Sequence, residues 1–233
     1  MINKAVILAA GKGKRMGELT KFLCKPLLEI NNRPFLYYVI QNLKKVGITD
    51  LGIVVHYQKE CVASFVKDHN IKATLIDQGE PLGTAHAVMV AKDFVKDENF
   101  IVLMGDNYYS EEDIRKILID DAYCYVSGMK HPSPQKYGVI VKEGDFLVRM
   151  PEKPTEFVSD LINIALYKFT PEIFKAIGTI SKSPRGEYEI NDAIMALAHR
   201  KKVKVIQITN DWIDLGCPED IPKAEAFFKS HKV

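Results

Sequence analysis

The chain has 233 residues, 47% of them hydrophobic and 27% charged, which is enough apolar matter for the full core of one domain, at most in two lobes. Its 32 basic and 30 acidic side chains leave a net charge of +2, so no global field recommends nucleic acid or an anionic membrane as a partner. The four cysteines, Cys24, Cys61, Cys124 and Cys217, stand far apart without a CxxC pair, which excludes a zinc ribbon or a thioredoxin-like site and leaves reduced thiols as the expectation.

The first predicted element is a short buried strand, Ala5-Val6-Ile7-Leu8-Ala9, which runs into Ala10-Gly11-Lys12-Gly13-Lys14-Arg15-Met16. Because the apolar run is short and meets cations without a cleavage-like site, it is not expected to be a leader; no run in the chain approaches the ~20 residues of a membrane helix. A cytoplasmic protein is expected. Gly11 and Gly13 can take positive φ and let backbone N–H groups converge on an anion, while Arg15 and Lys25 supply charge against phosphate oxygens. A Walker A loop would need a Gly-Lys-Ser/Thr ending where Met16-Gly17-Glu18 stands, and a dinucleotide fingerprint a third glycine where Met16 stands. Neither pattern is met, so the loop predicts a polyphosphate site of another kind.

Next, Leu27–Ile30 reads as extended and Asn31-Asn32-Arg33-Pro34 as a turn into a helix, with Pro34 near its first turn. Phe35, Val39, Leu43 and Val46 recur at helical spacing up to the stop at Gly47. Strands over Leu51–Val55 and Lys72–Ile76 flank a helix over Lys59–Asp68. Strands separated by helix-length segments predict an α/β fold: a doubly wound, mostly parallel but mixed, Rossmann-like sheet with ligands beyond the strand carboxyl ends. Asp77 to Val88 makes a turn through Pro81 and Gly83 into an apolar helix. Phe100–Met104 is a continuous apolar run of a central strand, and Asp106 just beyond it is a candidate Mg²⁺ ligand pointing into the crevice. Ser110 with Asp113 reads as the cap of the following helix.

Ala122–Val126 is a further core strand. After His131-Pro132-Ser133-Pro134 the texture turns β-rich: Tyr137–Val141 and Phe146–Val148 alternate around Glu143-Gly144-Asp145 like a hairpin, a small insertion over the strand ends. A short helix follows Pro171, a second carries Ile194, Leu197 and Ala198 inward, Lys204–Ile208 is a strand, and Pro218-Glu219-Asp220 opens the last helix with acids in its first turn.

Segments along nearly the whole chain, in order, resemble the sugar-1-phosphate nucleotidylyltransferases of the glucose-1-phosphate thymidylyltransferase and uridylyltransferase type. Leu8 to Met16, with Leu19-Thr20 and Lys25-Pro26-Leu27, is similar to their signature loop, with Lys14 for the usual Thr or Ser and Cys24 for Pro. Gln78 to Thr84 resembles the base-reading turn and Gly105-Asp106-Asn107 the GDN turn. Tyr137-Gly138-Val139, Glu152-Lys153-Pro154 and Asn163-Ile164-Ala165-Leu166-Tyr167 resemble the sugar-phosphate half, Ala165 replacing a glycine and adding a methyl group at a crowded position. Glu187 to Asp192 is like EYEITD, and Trp212 to Ile221 like WxDIGTPEDL with Cys217 for Thr.

The resemblance implies roles. Arg15, Lys25 and Lys153 are the catalytic cations; Ala10, Gly11, Gly13, Gln78, Gly83 and Thr84 bind the nucleotide; Gly138, Glu152, Asn163 and Glu189 bind the sugar in the β-rich insertion; Asp106 and Asp214 hold Mg²⁺. Gln78, with one acceptor and two donors, suits a pyrimidine presenting N3–H beside a carbonyl, hence uracil or thymine. The implied organisation is one catalytic domain over 1–233, with a nucleotide-binding half over about 1–130 and a sugar-phosphate half with the C-terminal helix over about 131–233. The β-helical acyltransferase or regulatory domain that relatives often carry is therefore not expected here. The implied reaction joins UTP or dTTP to a sugar 1-phosphate, glucose 1-phosphate foremost, with a homo-oligomer left open and neither nucleic acid nor membrane as partner. Two alternatives remain: a cytidylyltransferase using inositol or choline phosphate, and a non-catalytic nucleotide-binding regulatory subunit.

Overall fold

In the computed structural model, which describes residues 1–231, the N-terminal apolar run forms strand β1 (Lys4–Leu8), buried along its whole length. The last two positions of the half expected at 131–233 lie outside the described residues. Beyond β1 a glycine loop and two 3-10 turns lead to a small hairpin, β2 (Glu29–Ile30) with β3 (Arg33–Pro34). Asn31 and Asn32 are its tight turn, both at positive φ (51° and 62°), a region that asparagine tolerates better than most residues. Pro34, expected near the first helical turn, stands at the cap of α1 (Phe35–Lys45), where it is still paired with Glu29.

Strand β4 (Asp50–Val55), helix α2 (Lys59–Asp68) and strand β5 (Thr74–Asp77) follow. Two short helices, α3 (Thr84–Met89) and α4 (Lys92–Val95), return the chain to β6 (Phe100–Met104). After β7 (Asn107–Tyr109) comes α5 (Glu111–Ile117), whose Asp113 N–H donates to the capping Ser110 Oγ at 3.2 Å as expected. Strand β8 (Cys124–Lys130), the hairpin β9 (Val141–Glu143) and β10 (Phe146–Arg149), and the long β11 (Leu161–Phe169) complete most of the sheet. The chain ends through α6 (Glu172–Ile177), α7 (Ile190–Ala198), β12 (Val203–Gln207), β13 (Trp212–Asp214) and α8 (Ile221–His231).

Nine strands make one mixed α/β sheet in the order β5-β4-β1-β6-β11-β8-β12-β10-β9. The first four are parallel, as helical crossovers require; β11 then runs antiparallel to both β6 and β8, and the β9–β10 hairpin continues the sheet at its edge. Helices cover both faces, which is why β1 and β6 read as unbroken apolar runs rather than alternating ones. On one face α1 meets α8, with the rings of Tyr38 and Phe228 stacked at 4.1 Å; on the other Phe100 stacks on Phe174 at 5.6 Å. Each such side chain, fully buried, contributes roughly 1.5–3 kcal/mol. Among the described residues no helix is long and apolar enough to cross a membrane.

Two features of this frame position a site. The carboxyl ends of β1 and β6 lie side by side, Gly105 N–H donating to the Leu8 carbonyl at 2.9 Å. Beside them β7 pairs antiparallel with β13 in a separate two-stranded ribbon that sets Asn107 opposite Asp214.

Candidate active site

The loop after β1 closes over the Lys25 segment. Gly13 has φ 62°, and a Cβ there would lie 3.0 Å from both Lys25 Cβ and Thr20 Cγ2, so the turn needs glycine for its conformation and for its space. Thr20 Oγ1 pins it by donating to the Gly13 carbonyl at 3.0 Å. Behind the loop is a cavity of about 260 Å³ lined by Gly11, Gly13, Lys14, Arg15, Lys25, Asp106 and Gly216, among others. Lys25 is buried, and its Nζ sits 2.5 Å from Asp106 Oδ2.

A second cavity, of about 440 Å³, shares Leu8, Gly11, Gly13, Lys14 and Met104 with the first and adds Ala10, Gln78, Gly83 and Thr84. The two are therefore one cleft, and it gathers nine of the residues expected to bind nucleotide, phosphate or metal. Gln78 is buried; its Nε2 donates to the Gly83 carbonyl at 3.1 Å and lies 3.5 Å from His86 Nδ1, while its Oε1 accepts no hydrogen bond from the described residues. Gly83 has φ 109°, and a Cβ there would meet the Tyr188 carbonyl oxygen at 2.6 Å. Thr84 Oγ1 accepts from the Ile190 N–H at 3.0 Å, so this hydroxyl ties the turn to the start of α7.

The carboxylates converge through the β7–β13 ribbon. Asn107 Nδ2 lies 3.3 Å from Asp106 Oδ1 and 3.4 Å from Asp214 Oδ1, and Trp212 Nε1 donates to Asn107 Oδ1 at 2.7 Å. Asp214 Oδ2 and Arg15 Nη1 both crowd Gly216, at 3.4 and 3.6 Å from where a Cβ would stand, which brings the arginine to the same end of the cleft. Burial pushes the Asp214 carboxyl above its usual range, the charge of Asp106 adds to this, and Lys25 and Arg15 oppose it. The turn that follows is held by Asp220 Oδ2, which accepts from the N–H groups of Gly216 at 3.0 Å and Cys217 at 2.9 Å. The Cys217 thiol donates to the same oxygen at 3.2 Å, so it does there what a threonine hydroxyl would.

A third group lies over the β-rich segment. Gly138 bridges to Glu152, whose Oε2 is 3.0 Å from the place of a Gly138 Cβ, and the Gly138 carbonyl accepts from Asn163 N–H at 2.8 Å. Asn163 Nδ2 donates to Tyr167 OH at 2.8 Å and reaches Asn191 Oδ1 at 3.5 Å. Ala165 has φ 57° at the irregularity between Asn163 and Tyr167, with its N–H donating to Asn163 Oδ1. The Gly-to-Ala exchange is thus felt as a left-handed backbone on a residue with a Cβ.

Lys153 and Glu189 line neither part of the cleft. Lys153 is exposed at φ 45°, an unusual conformation ahead of a proline, and its N–H donates to the Tyr137 carbonyl at 3.0 Å. The Tyr137 ring in turn packs edge-on against Trp212 at 5.9 Å, so the Glu152-Lys153 turn is fastened to the carboxylate ribbon. Glu189 accepts from Ser183 Oγ at 3.0 Å and Arg185 Nη2 at 2.8 Å. Sequence reasoning missed Asn107, Trp212 and Asn191. Asn107 and Trp212 stood within quoted motifs but had no role, because strands of three residues carry no periodicity.

The nucleotidyl transferase family model matches residues 4–231. The bifunctional protein GlmU of Methanocaldococcus jannaschii is 37% identical over 225 residues, covering 96% of this chain and 53% of its own. The UTP–glucose-1-phosphate uridylyltransferase AglF of Haloferax volcanii is 34% identical over 232 residues, covering 95% of each. A crystal structure of a glucose-1-phosphate thymidylyltransferase from Bacillus anthracis superimposes with a TM-score of 0.86 at 26% identity, over 96% of this chain and 94% of that one. The chain spans about half to two thirds of the length of several curated relatives it matches, and 95% of AglF.

Proposed function

The chain belongs to the nucleotidyl transferase family, and from that premise we propose that it transfers a nucleoside monophosphate from UTP or dTTP to a sugar 1-phosphate, foremost glucose 1-phosphate. The observation that carries this reading is the convergence of Arg15, Lys25 and Asp106 on one cavity that opens directly onto Gln78 and Gly83. With Nε2 engaged by the Gly83 carbonyl, Gln78 Oε1 is left to accept from a pyrimidine N3–H. Uracil and thymine carry that proton and neutral cytosine does not, which favours UTP or dTTP over CTP.

The first half, about 1–130, supplies the loop, Gln78, Gly83 and Asp106. The second, about 131–233, supplies the corner of Gly138, Glu152 and Asn163 for the sugar, with Glu189 apart from that corner as the further sugar residue, and sends Asp214 back to the phosphates. A magnesium ion fits the donor set. Among the described residues no three acids, histidines or cysteines gather into an all-protein cage, whereas Asp106 and Asp214 stand together beside a cation-lined cavity. That suits a metal held by one or two carboxylates and by substrate oxygens. When bound, the ion would supply further positive charge to the reacting phosphates.

An oxygen of the sugar phosphate attacks the α-phosphorus in line as the bond to the β-phosphate oxygen breaks and pyrophosphate leaves. The attacking phosphate is already ionised near neutral pH, so no general base is required. Arg15 and Lys25 offset charge along the triphosphate, Lys153 holds the attacking phosphate, and the loop amides fix the geometry. Four free thiols support a reducing, cytoplasmic setting.

The test is pyrophosphate release from five nucleoside triphosphates crossed with glucose, N-acetylglucosamine, mannose and inositol 1-phosphates and choline phosphate, with Mg²⁺ present. Turnover confined to UTP or dTTP with a hexose 1-phosphate is expected, and EDTA abolishes it. Turnover only with CTP and inositol or choline phosphate overturns the substrate assignment, and no turnover above background makes the chain a binding subunit. Arg15 is exposed, so Arg15→Ala is expected to lower kcat/KM by about 10²–10³-fold with Tm unchanged.

A further inference from the structure

The buried side chain of Asn107 stands between an indole and two carboxylates. An indole N–H can only donate, and an ionised carboxylate can only accept. The reversed amide would set its NH₂ against the Trp212 N–H and its carbonyl against two anions, so Trp212 leaves one orientation, with both amide donors facing Asp106 and Asp214. The ribbon explains how a residue 105 positions away finds this place: Asn107 is opposite Asp214, and Trp212, two residues before Asp214, shares its face of the strand. The register is locked by the Leu215 N–H, which donates to the Asp106 carbonyl at 3.0 Å.

From this geometry we infer that Asn107 and Trp212 are positioning residues that hold Asp106 and Asp214 at a fixed spacing for a divalent cation. The inference rests on the reading of those two aspartates as metal ligands. Two neighbouring carboxylates repel, and without a shared donor they would swing apart. The amide bridges one oxygen of each, and the indole keeps it from turning. The pair is thereby oriented before any substrate arrives, and less reorganisation accompanies ion binding.

Mn²⁺ alone serves as probe, with the free ion counted by its paramagnetic resonance signal against the full chain. Trp212→Phe keeps an aromatic ring against Tyr137 and removes the N–H along with part of the indole; it is expected to weaken Mn²⁺ binding about 10-fold, as is Asn107→Ala. Because the indole acts through the amide, the double variant is expected to bind no more weakly than Asn107→Ala, whereas a merely structural role would give additive losses. Trp212 is the one tryptophan in the sequence, so its fluorescence quenching reports Mn²⁺ in the wild type and in Asn107→Ala, with the midpoint about tenfold higher in the variant. Unchanged Mn²⁺ affinity in a folded Trp212→Phe, or additive losses, overturns the inference. Should Asp214→Asn bind Mn²⁺ as the wild type does, the metal reading falls and this inference with it.

Discussion

Asp214 shows how one side chain is held against its own stability. Burial and the neighbouring Asp106 raise its carboxyl above the ordinary 3.8, so the folded chain binds that proton more tightly than the unfolded chain does. Its ionised form is a liability that is absent below the ordinary value, sets in as pH rises towards the raised one, and is complete above it. Asp214→Asn is therefore expected to raise the Tm of the metal-free protein at neutral pH, to lose that advantage near about pH 3, and to abolish turnover. Differential scanning calorimetry at the two pH values checks the sign; a Tm lowered at neutral pH counts against it. Ala165 carries a different strain. A left-handed backbone disfavours a residue with a Cβ by roughly 1–2 kcal/mol, of which the greater unfolded-state freedom of glycine takes back about half. Ala165→Gly is expected to stabilise the chain by about 0.5–1 kcal/mol in urea titration, with the hydrogen bond to Asn163 kept.

Among the elements, the turn before α3 joins the two halves of the chain. Ala85 N–H donates to the Tyr188 carbonyl at 2.9 Å, Tyr188 N–H to Leu82 at 2.7 Å, and Ile190 N–H to Thr84 Oγ1, all around Gly83. Gly83→Ala meets both a forbidden φ and a carbonyl oxygen at 2.6 Å, and is expected to cost about 3 kcal/mol or more and to raise the KM for the nucleotide. A thermal melt beside a KM measurement checks it, and a neutral result would mean that the two segments part freely. This junction also marks the limit of what was legible in the sequence. Helix α2 falls on its expected residues, and β1, β4 and β6 fall within a residue of theirs, because apolar runs and helical spacing are local properties. Gln78, Gly83 and the cations were legible as motif residues. The β7–β13 ribbon, the grip of Tyr188 on Gly83 and the place of Asn191 beside Asn163 were not, since each pairs segments with no periodicity of their own across a long stretch of chain.

At the scale of the whole molecule, the two binding halves we propose are not folding halves. Among the described residues strand β8 pairs only with β11 and β12, both beyond residue 130, and β11 also covers the free edge of β6. Phe169 and Phe174 pack on Phe100, and Phe228 on Tyr38 and Phe35, so both faces of the nucleotide half are closed by rings from the other. Losing three such rings removes several times roughly 1.5–3 kcal/mol, comparable with the ~5–15 kcal/mol that holds a typical domain together. A fragment of residues 1–130, although it carries the phosphate loop, Gln78 and Asp106, is therefore expected to lack a cooperative thermal transition and to bind no UTP. The full chain is expected to melt in one transition that UTP with Mg²⁺ moves upward. A cooperative melt of the isolated fragment would show that β11 and α8 are additions to a finished core. The structure argues the reverse, because the strand that completes the central sheet belongs to the sugar-phosphate half, and the two carboxylates meet only once that half has folded back.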